Sequence, residues 1–488
     1  MVWLAVVLYS VAALALGWRA YRRAEPGAAY WTAGRDLSAS SVGLSISAGF
    51  MSVSWSCVYA VQLFYWYGLG AIWLITIPWM LALGGIYLLA RRYHALTAFS
   101  QPEMVGQRFG KGTRRVVALA LAFVFLVWGG AEIYVAATLL APGLHLSVGL
   151  TIVGLSVVVG GYATLGGFRA VVATDKMQYV IVACYVLAIG GLALNGMDEV
   201  AGTSWPPRDV LAAKSGRSWT ALAAPGFGLI LLGFIAYLPG WLFETDLWLR
   251  VQAARDGGSA RKGMLMAGGN ALFFVGLLPC FIGVAALVLF PMEGRDIPAS
   301  LGVEGDAIFA ALVNRYAPSW LAALVAVGLV AAAMSTIDTC ANVMALSLAY
   351  DVLNLHERPD SWLRSSHVTA LSVGAAGVFA WNTESLWDLF YLSGGVLTTA
   401  VAFPVAAVFW KGAVAKGIHW SAWAGFIGTV VAYFLESRAG LAALAPAFIA
   451  ETGLGYILWG MLAAAAGYAA GAGWERLASA GEIQPPGT

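Results

Sequence analysis

Apolar stretches of about twenty residues recur along this chain, and no other feature restricts its folding as strongly. A bilayer's hydrocarbon core, about 30 Å thick, takes roughly 20 residues of helix to cross. Lipid offers no hydrogen-bond partner to the backbone, so such runs form helices that satisfy their own amides. Read in order, the spans fall at 2–18, 41–66, 69–90, 117–141, 147–164, 176–195, 222–246, 264–290, 319–350, 367–382, 386–410, 419–436 and 455–473. Only 11% of the 488 residues are charged, against about 25% in soluble domains. The chain is therefore predicted to be an all-α polytopic membrane protein with about 13 transmembrane helices.

The few charges are unevenly placed. If the N-terminus lies outside, the loops at 19–40, 91–116, 165–175, 247–263, 351–366 and 411–418 are cytoplasmic, with the C-terminal tail. They hold most of the 27 Lys and Arg, including Arg22, Arg23, Arg91, Arg92, Arg114, Arg115, Arg261 and Lys262. The opposite side holds Arg208, Lys214, Arg217, Arg295, Arg315 and Arg438. This bias is the positive-inside pattern, with the C-terminus cytoplasmic and the chain in the cell's inner (plasma) membrane. Basic residues so dispersed form no nucleic-acid surface. Cys57, Cys184, Cys280 and Cys340 lie in apolar segments without CxxC spacing and read as small core residues. The N-terminus is apolar from Val2 and reads as a retained first span.

Two spans carry polar atoms at membrane depth. Span 9 contains Val330-Ala-Ala-Ala-Met-Ser-Thr-Ile-Asp-Thr339, with four oxygen-bearing side chains in five residues. Helix positions three and four apart share a face. The Ala332 carbonyl therefore points towards the hydroxyls of Ser335 and Thr336, and a bonded carbonyl keeps a second lone pair. Such a set of hard oxygens suits a small hard cation such as Na+. Asp338 follows on the same side, and an ionisable residue at this depth is a functional candidate. Alternatively, the hydroxyls bond back to their own helix and Asp338 pairs with a neighbour.

Span 2 opens Ser41-Val-Gly-Leu-Ser-Ile-Ser-Ala-Gly-Phe-Met-Ser-Val-Ser-Trp-Ser-Cys57, too rich in Gly and Ser for a continuous helix. Broken helices occur in membranes where freed backbone lines a cavity, as in transporters; close packing through small residues is the other reading. Span 7 has a comparable interruption at Tyr237-Leu-Pro-Gly-Trp241. There Pro239 removes a helix hydrogen bond and Gly240 weakens the turn. The two interruptions are five spans apart, the offset of two five-helix repeats.

Several stretches together resemble the sodium/solute symporter family, which includes sodium/proline and sodium/galactose symporters. They are Tyr162-Ala-Thr-Leu-Gly-Gly-Phe-Arg-Ala170 with Thr174-Asp175 and Gln178, then Leu249-Arg250-Val-Gln-Ala-Ala-Arg255 with Ala260-Arg261. Ala-Ala-Ala-Met-Ser-Thr follows in span 9, with Ala349-Tyr-Asp351, then Phe409-Trp-Lys411, Gly417 and Ala422-Trp-Ala-Gly425. The resemblance covers nearly the whole chain in order. It implies the leucine-transporter (LeuT) fold with a 5+5 inverted repeat. Residues 1–40 would hold an extra span and a cytoplasmic linker. Residues 41–200 (spans 2–6) and 201–416 (spans 7–11) would be the repeats, and 417–488 two further spans with a short polar tail.

Carried over residue by residue, the resemblance places Na+ on the carbonyls of Ala48 and Met51 in span 2 and of Ala332 in span 9, with the Ser335 and Thr336 hydroxyls. A second sodium or a proton would sit among Asp175, Asp338 and Thr339, where Asp338 replaces a hydroxyl that some members use. Phe50 stands where the proline-transporting branch has an aspartate, which argues against proline. The solute site would lie between spans 2, 4, 7 and 11, with Ser52, Ser56, Gln62, Trp128, Glu132, Tyr237 and Trp241 as lining candidates. If Glu132 faces the cavity it favours a cationic, zwitterionic or polyhydroxylated solute; otherwise it pairs inside the bundle.

The function implied is sodium-coupled import of a small organic solute (an amino acid, sugar or monocarboxylate) by alternating access, with spans 2, 3, 7 and 8 moving against the rest. Proton coupling through Asp338 or Asp175 is the main alternative, and a transporter-like sensor is a more distant one. No cluster of catalytic groups points to an enzyme. The expected partners are the solute and the lipid bilayer, with no nucleic acid and no obligate protein partner.

Overall fold

A computed structural model describes residues 2–22, 33–98, 100–201, 218–292, 296–302, 304–357, 364–383, 385–439 and 444–481. Arg23, Arg208, Lys214, Arg217 and Arg295, most of the loop between spans 6 and 7 and the end of the tail lie outside these residues. Among the described residues there is no sheet. An isolated bridge joins Leu37 to Ala254 and ties the segment before span 2 to the turn after span 7.

Every expected span is helical, but their lengths and apolarity differ. Among the described residues, nine helices are long and apolar enough to cross a membrane, and a bent pair makes a tenth. The other three expected spans are the helices Thr76–Ala95, Val148–Thr164 and Ser365–Trp381. They fall short of that standard, so the expected thirteen become ten by this measure.

The bent pair is span 2. Its first helix, Ala39–Phe50, meets its second, Val53–Trp73, at 59°. Ser52 restarts the helix: its hydroxyl accepts from the Trp55 amide at 2.8 Å, which satisfies one of the orphan donors at a helix start. The first turns after the break are π-helical, from Val53 to Tyr59.

Two expectations are corrected. The interruption expected at Pro239-Gly240 lies further on. The helix runs from Phe227 to Leu242 with Pro239 inside it, and the chain breaks at Phe243–Glu244 before a second helix, Thr245–Gln252. Gly240 serves close packing: a Cβ there would lie 2.9 Å from the Leu397 side chain. The cytoplasmic loop expected at 165–175 is likewise absent. Spans 5 and 6 meet in one helical run, Val148–Ala201, whose turn is made at Gly167, where φ is 55° and ψ −153°. Only glycine takes that conformation without strain.

Span 9 (Leu321–Leu346) lies at the centre, packed on spans 1, 2, 4 and 6, while span 8 (Gly257–Leu289) covers span 2. Spans 12 and 13 (Ala415–Ala439 and Gly455–Gly481) form a close pair outside this core. Side chains such as Leu88, Val157, Val378 and Leu477 point outward and exposed, as lipid-facing positions do. Cys57 and Cys340 are buried as expected, whereas Cys184 is exposed and Cys280 only half-buried.

Candidate functional site

The break in span 2 frees backbone groups beside span 9. The last four carbonyls of a helix have no partner in their own helix. In the first helix of span 2 these include Ala48 and Gly49, and both face the hydroxyl pair of span 9. Ser335 Oγ lies 3.1 Å from the Ala48 carbonyl and 2.9 Å from that of Ala332. Thr336 Oγ1 lies 3.2 Å from the Gly49 carbonyl and 3.3 Å from that of Ala332. Five oxygens thus converge from two helices, and Ser335 is fully buried. Ala48, Ala332, Ser335 and Thr336 come together as expected from the sequence. The Gly49 carbonyl joins them, and sequence reasoning missed it. Met51 is the first residue past the helix and turns away from its axis; its amide donates to Ser47 O at 3.1 Å.

Deeper along span 9, Asp175 and Thr339 lie together with a cation between them that the sequence had placed in a loop, and Asp338 lies beside Thr339. Arg250 is 1% exposed. Its Nε donates to Ser45 Oγ at 2.8 Å, and one Nη donates to Thr339 Oγ1 at 2.8 Å and to Asp175 Oδ2 at 3.4 Å. The other Nη reaches Asp246 Oδ2 at 3.4 Å. Ser45 Oγ also donates to Asp175. Asp338 stands apart from the guanidinium: Tyr162 OH donates to its Oδ2 at 2.6 Å. A signal for Arg250 was present, because Asp246 precedes it by one helical turn.

Next to the hydroxyl pair is a cavity of about 80 Å³. Of the proposed lining residues it contains Ser52, Trp128, Tyr237 and Trp241, together with Trp55, Trp79 and Phe390. Tyr237 and Trp241 stack face to face, 4.5 Å apart and within 5° of parallel. Trp55 packs edge-on against both. Trp128 Nε1 donates to Ser393 Oγ at 2.8 Å, which fixes the indole from span 11. Glu244 and Asp246 close one side of the cavity, and sequence reasoning missed both.

The remaining three candidates lie elsewhere. Ser56 Oγ donates to the Ser52 carbonyl at 2.8 Å, inside the helix. Gln62 Nε2 donates to the Glu304 carbonyl, in the loop between spans 8 and 9, at 3.0 Å. Glu132 is fully buried and accepts from the amides of Val53 and Ser54 at 2.6 and 2.9 Å, and from the Ser54 hydroxyl. Its carboxylate therefore caps the restarted helix of span 2, where the helix dipole favours negative charge.

Comparisons with known proteins give this arrangement its context. The model of the sodium:solute symporter family matches residues 30–425. The chain is 27% identical over 444 residues to the sodium/myo-inositol cotransporter 2 of Oryctolagus cuniculus, covering 80% of this chain and 62% of the relative. To the Homo sapiens protein of that name it is 26% identical, covering 83% and 64%. The Homo sapiens sodium/iodide cotransporter matches at 29% over 180 residues, covering 35% and 27%. The chain thus spans just under two thirds of the length of the myo-inositol cotransporters it matches. A solved structure of a Na+-coupled sialic acid symporter, substrate-bound and outward-open, shares the fold. Its TM-score is 0.71 at 19% identity, with 97% of both chains covered. The expected LeuT-type helical fold therefore stands. With its family model matched over most of its length, the chain belongs to the sodium:solute symporter family.

Proposed function

We propose that this chain is a sodium-coupled secondary active symporter that imports a small organic solute by alternating access. The observation that carries the reading is the convergence of the Ala48, Gly49 and Ala332 carbonyls on the hydroxyls of Ser335 and Thr336, beside an aromatic cavity. Na+ here is a transported ion and not a resident cofactor. Bound among these oxygens it would join the break of span 2 to span 9. Sodium that favours one arrangement of the two helices shifts the population towards it; equal affinity for both would shift nothing. The membrane potential adds about 2.3 kcal/mol per charge per 100 mV.

Solute would bind in the cavity beside this site, under the Tyr237–Trp241 stack. Residues 41–200 and 201–416 would be the two repeats. The N-terminus would face outward and the C-terminus the cytoplasm of a cell whose inner membrane holds the protein. Asp175 and Thr339 we read as held by Arg250, which already occupies the space between them that a second ion would need. Asp338, paired with Tyr162, stands outside that contact.

Purified protein in proteoliposomes tests this. An inward sodium gradient should drive accumulation of a solute drawn from a panel of sugars, polyols, amines and amino acids. Replacing sodium by choline at fixed pH should abolish it. Uptake that persists in choline and follows the proton gradient would remove sodium from the mechanism.

A further inference from the structure

The cavity described above also carries a charge preference. Its lining holds no Lys, Arg or His, but it does hold two carboxylates, Glu244 and Asp246. Both are more than nine-tenths buried, at 7% and 5% exposure. Glu244 Oε2 and Asp246 Oδ1 accept from no other group of the protein; the two carboxyls lie against each other, and the second oxygen of Asp246 is held by Arg250. A buried acceptor without a donor is costly, so each is a place for a donor brought by a ligand.

An anionic solute would need a receptor, and in a broken transporter helix the usual one is the half-helix N-terminus, where free amides and the dipole meet a carboxylate. In this chain that position is taken. Glu132 lies on the amides of Val53 and Ser54, the first two residues after the break, and on the Ser54 hydroxyl. The chain's own carboxyl stands where a solute's carboxylate would bind and has already taken those donors.

Resting on the transport reading above, we propose that the solute of this chain is neutral or cationic and lacks a free carboxylate. It offers hydroxyl or ammonium donors to Glu244 and Asp246 and an apolar face to the surrounding rings. Trp55, Trp79, Trp128, Tyr237, Trp241 and Phe390 supply that face. Aromatic walls accept both the C–H face of a polyol ring and, through cation–π attraction, an ammonium group. Of the broad solute classes expected from the sequence, this removes monocarboxylates and amino acids that bind through the carboxylate.

The test uses the full chain in detergent and reads thermal stability, because a ligand of the folded state raises it by mass action. In sodium, the wild type should be stabilised saturably by a member of a panel of polyols, sugars, amines and quaternary ammonium compounds (myo-inositol and choline among them). Lactate and L-proline should do nothing. Stabilisation by a carboxylate, or by no panel member, overturns the proposal.

Formate gives a separate measure of the plug. Glu132→Ala should expose the amides and bind formate at concentrations about tenfold below any effect on the wild type. Equal formate responses overturn the plug. If Glu132→Ala does not fold on its own, expression with formate in the medium should recover yield that chloride at equal ionic strength does not restore, and equal yields count against the proposal. A wild type that fails to respond to sodium itself, with the formate arm intact, would instead overturn the transport reading.

Discussion

Arg250 donates from its guanidinium to the Thr339 hydroxyl at 2.8 Å, joining the helix beyond the break of span 7 to the middle of span 9. The same group reaches Asp175 of span 6, Asp246 of its own helix and Ser45 of span 2. Four helices therefore meet on one buried cation. Removing one partner of a buried ion pair typically costs about 3–5 kcal/mol, because the other charge is left unpaired. Arg250→Ala should lower the stability of the detergent-solubilised protein by that order. Adding Asp175→Asn and Asp246→Asn should restore part of the loss. Arg250→Lys should not rescue it, since one compact ammonium cannot serve acceptors on four helices at once. A melting temperature for Arg250→Ala equal to wild type would show the network to be without energetic weight.

The hydroxyl pair of span 9 should control sodium affinity without controlling the fold. Ser335→Ala and Thr336→Ala each remove one oxygen from the set; the Ala332 carbonyl stays within its helix, and the Ala48 or Gly49 carbonyl at its helix end loses a single donor. A lost ligand worth about 1.4 kcal/mol moves half-saturation tenfold. Each variant should therefore need about ten times more sodium for the same thermal shift, and the double variant should lose the response. Thr336→Ser, which keeps the oxygen, should stay close to wild type. Wild-type sodium titrations for both alanine variants would place the ion elsewhere.

Much of this site could be read from the residues, and the parts that could not share a cause. Ala332, Ser335 and Thr336 are brought together by helix geometry alone, so their spacing reveals them. The break in span 2 is likewise local, written in its serines and glycines. The docking of one helix against another has no such local signature. Gly49 joins the oxygen set because of where Phe50 ends the helix, one residue before Met51, and boundaries are the least legible part of a sequence. Arg250 follows an apolar run and reads as a cytoplasmic charge; it is buried because the second helix of span 7 continues among spans 2, 3, 8 and 9. Glu132 was legible as an unusual acid, but its partners lie across the bundle at a break. Pro239 misled in the other direction: the helix absorbs it, and the chain breaks where Phe243 and Glu244 leave helical geometry.

Tyr162 and Asp338 form a second buried contact that can be tested apart from Arg250. Both are fully buried, and the tyrosine hydroxyl is the donor to Asp338 Oδ2 at 2.6 Å. Tyr162→Phe removes only that donor and leaves the carboxylate without it. The expected loss is about 1–3 kcal/mol, the cost of a buried group left unsatisfied. Asp338→Asn should be milder, because an amide oxygen still accepts from Tyr162. The coupling should appear in the double variant, whose loss should be smaller than the sum of the single losses. Strict additivity would mean that the two side chains do not act on each other.

The loop between spans 8 and 9 supplies a pH-dependent contact with span 2. Gln62 donates to the backbone carbonyl of Glu304, and the Glu304 carboxyl accepts from Ser385 at 3.3 Å, joining span 2, the loop and the start of span 11. Burial pushes the Glu304 carboxyl above its usual range, and the nearby Asp388 and Asp306 push the same way, against the Ser385 hydrogen bond. Burial raises Asp306 as well. A carboxyl whose folded-state pKa lies above its unfolded one binds its proton more tightly in the folded chain. Its contribution is full in acid, below the unfolded pKa, and is lost as pH rises through the raised value. The loop should therefore hold most firmly to span 2 at acidic pH and loosen towards neutrality. Amide exchange over residues 304–308, corrected for the intrinsic pH dependence, should quicken as pH rises. Glu304→Gln, which stays neutral throughout, should flatten that profile at its acidic, slow level. A wild-type profile already flat, or one that slows with rising pH, would mean that the Glu304 carboxyl does not govern this contact.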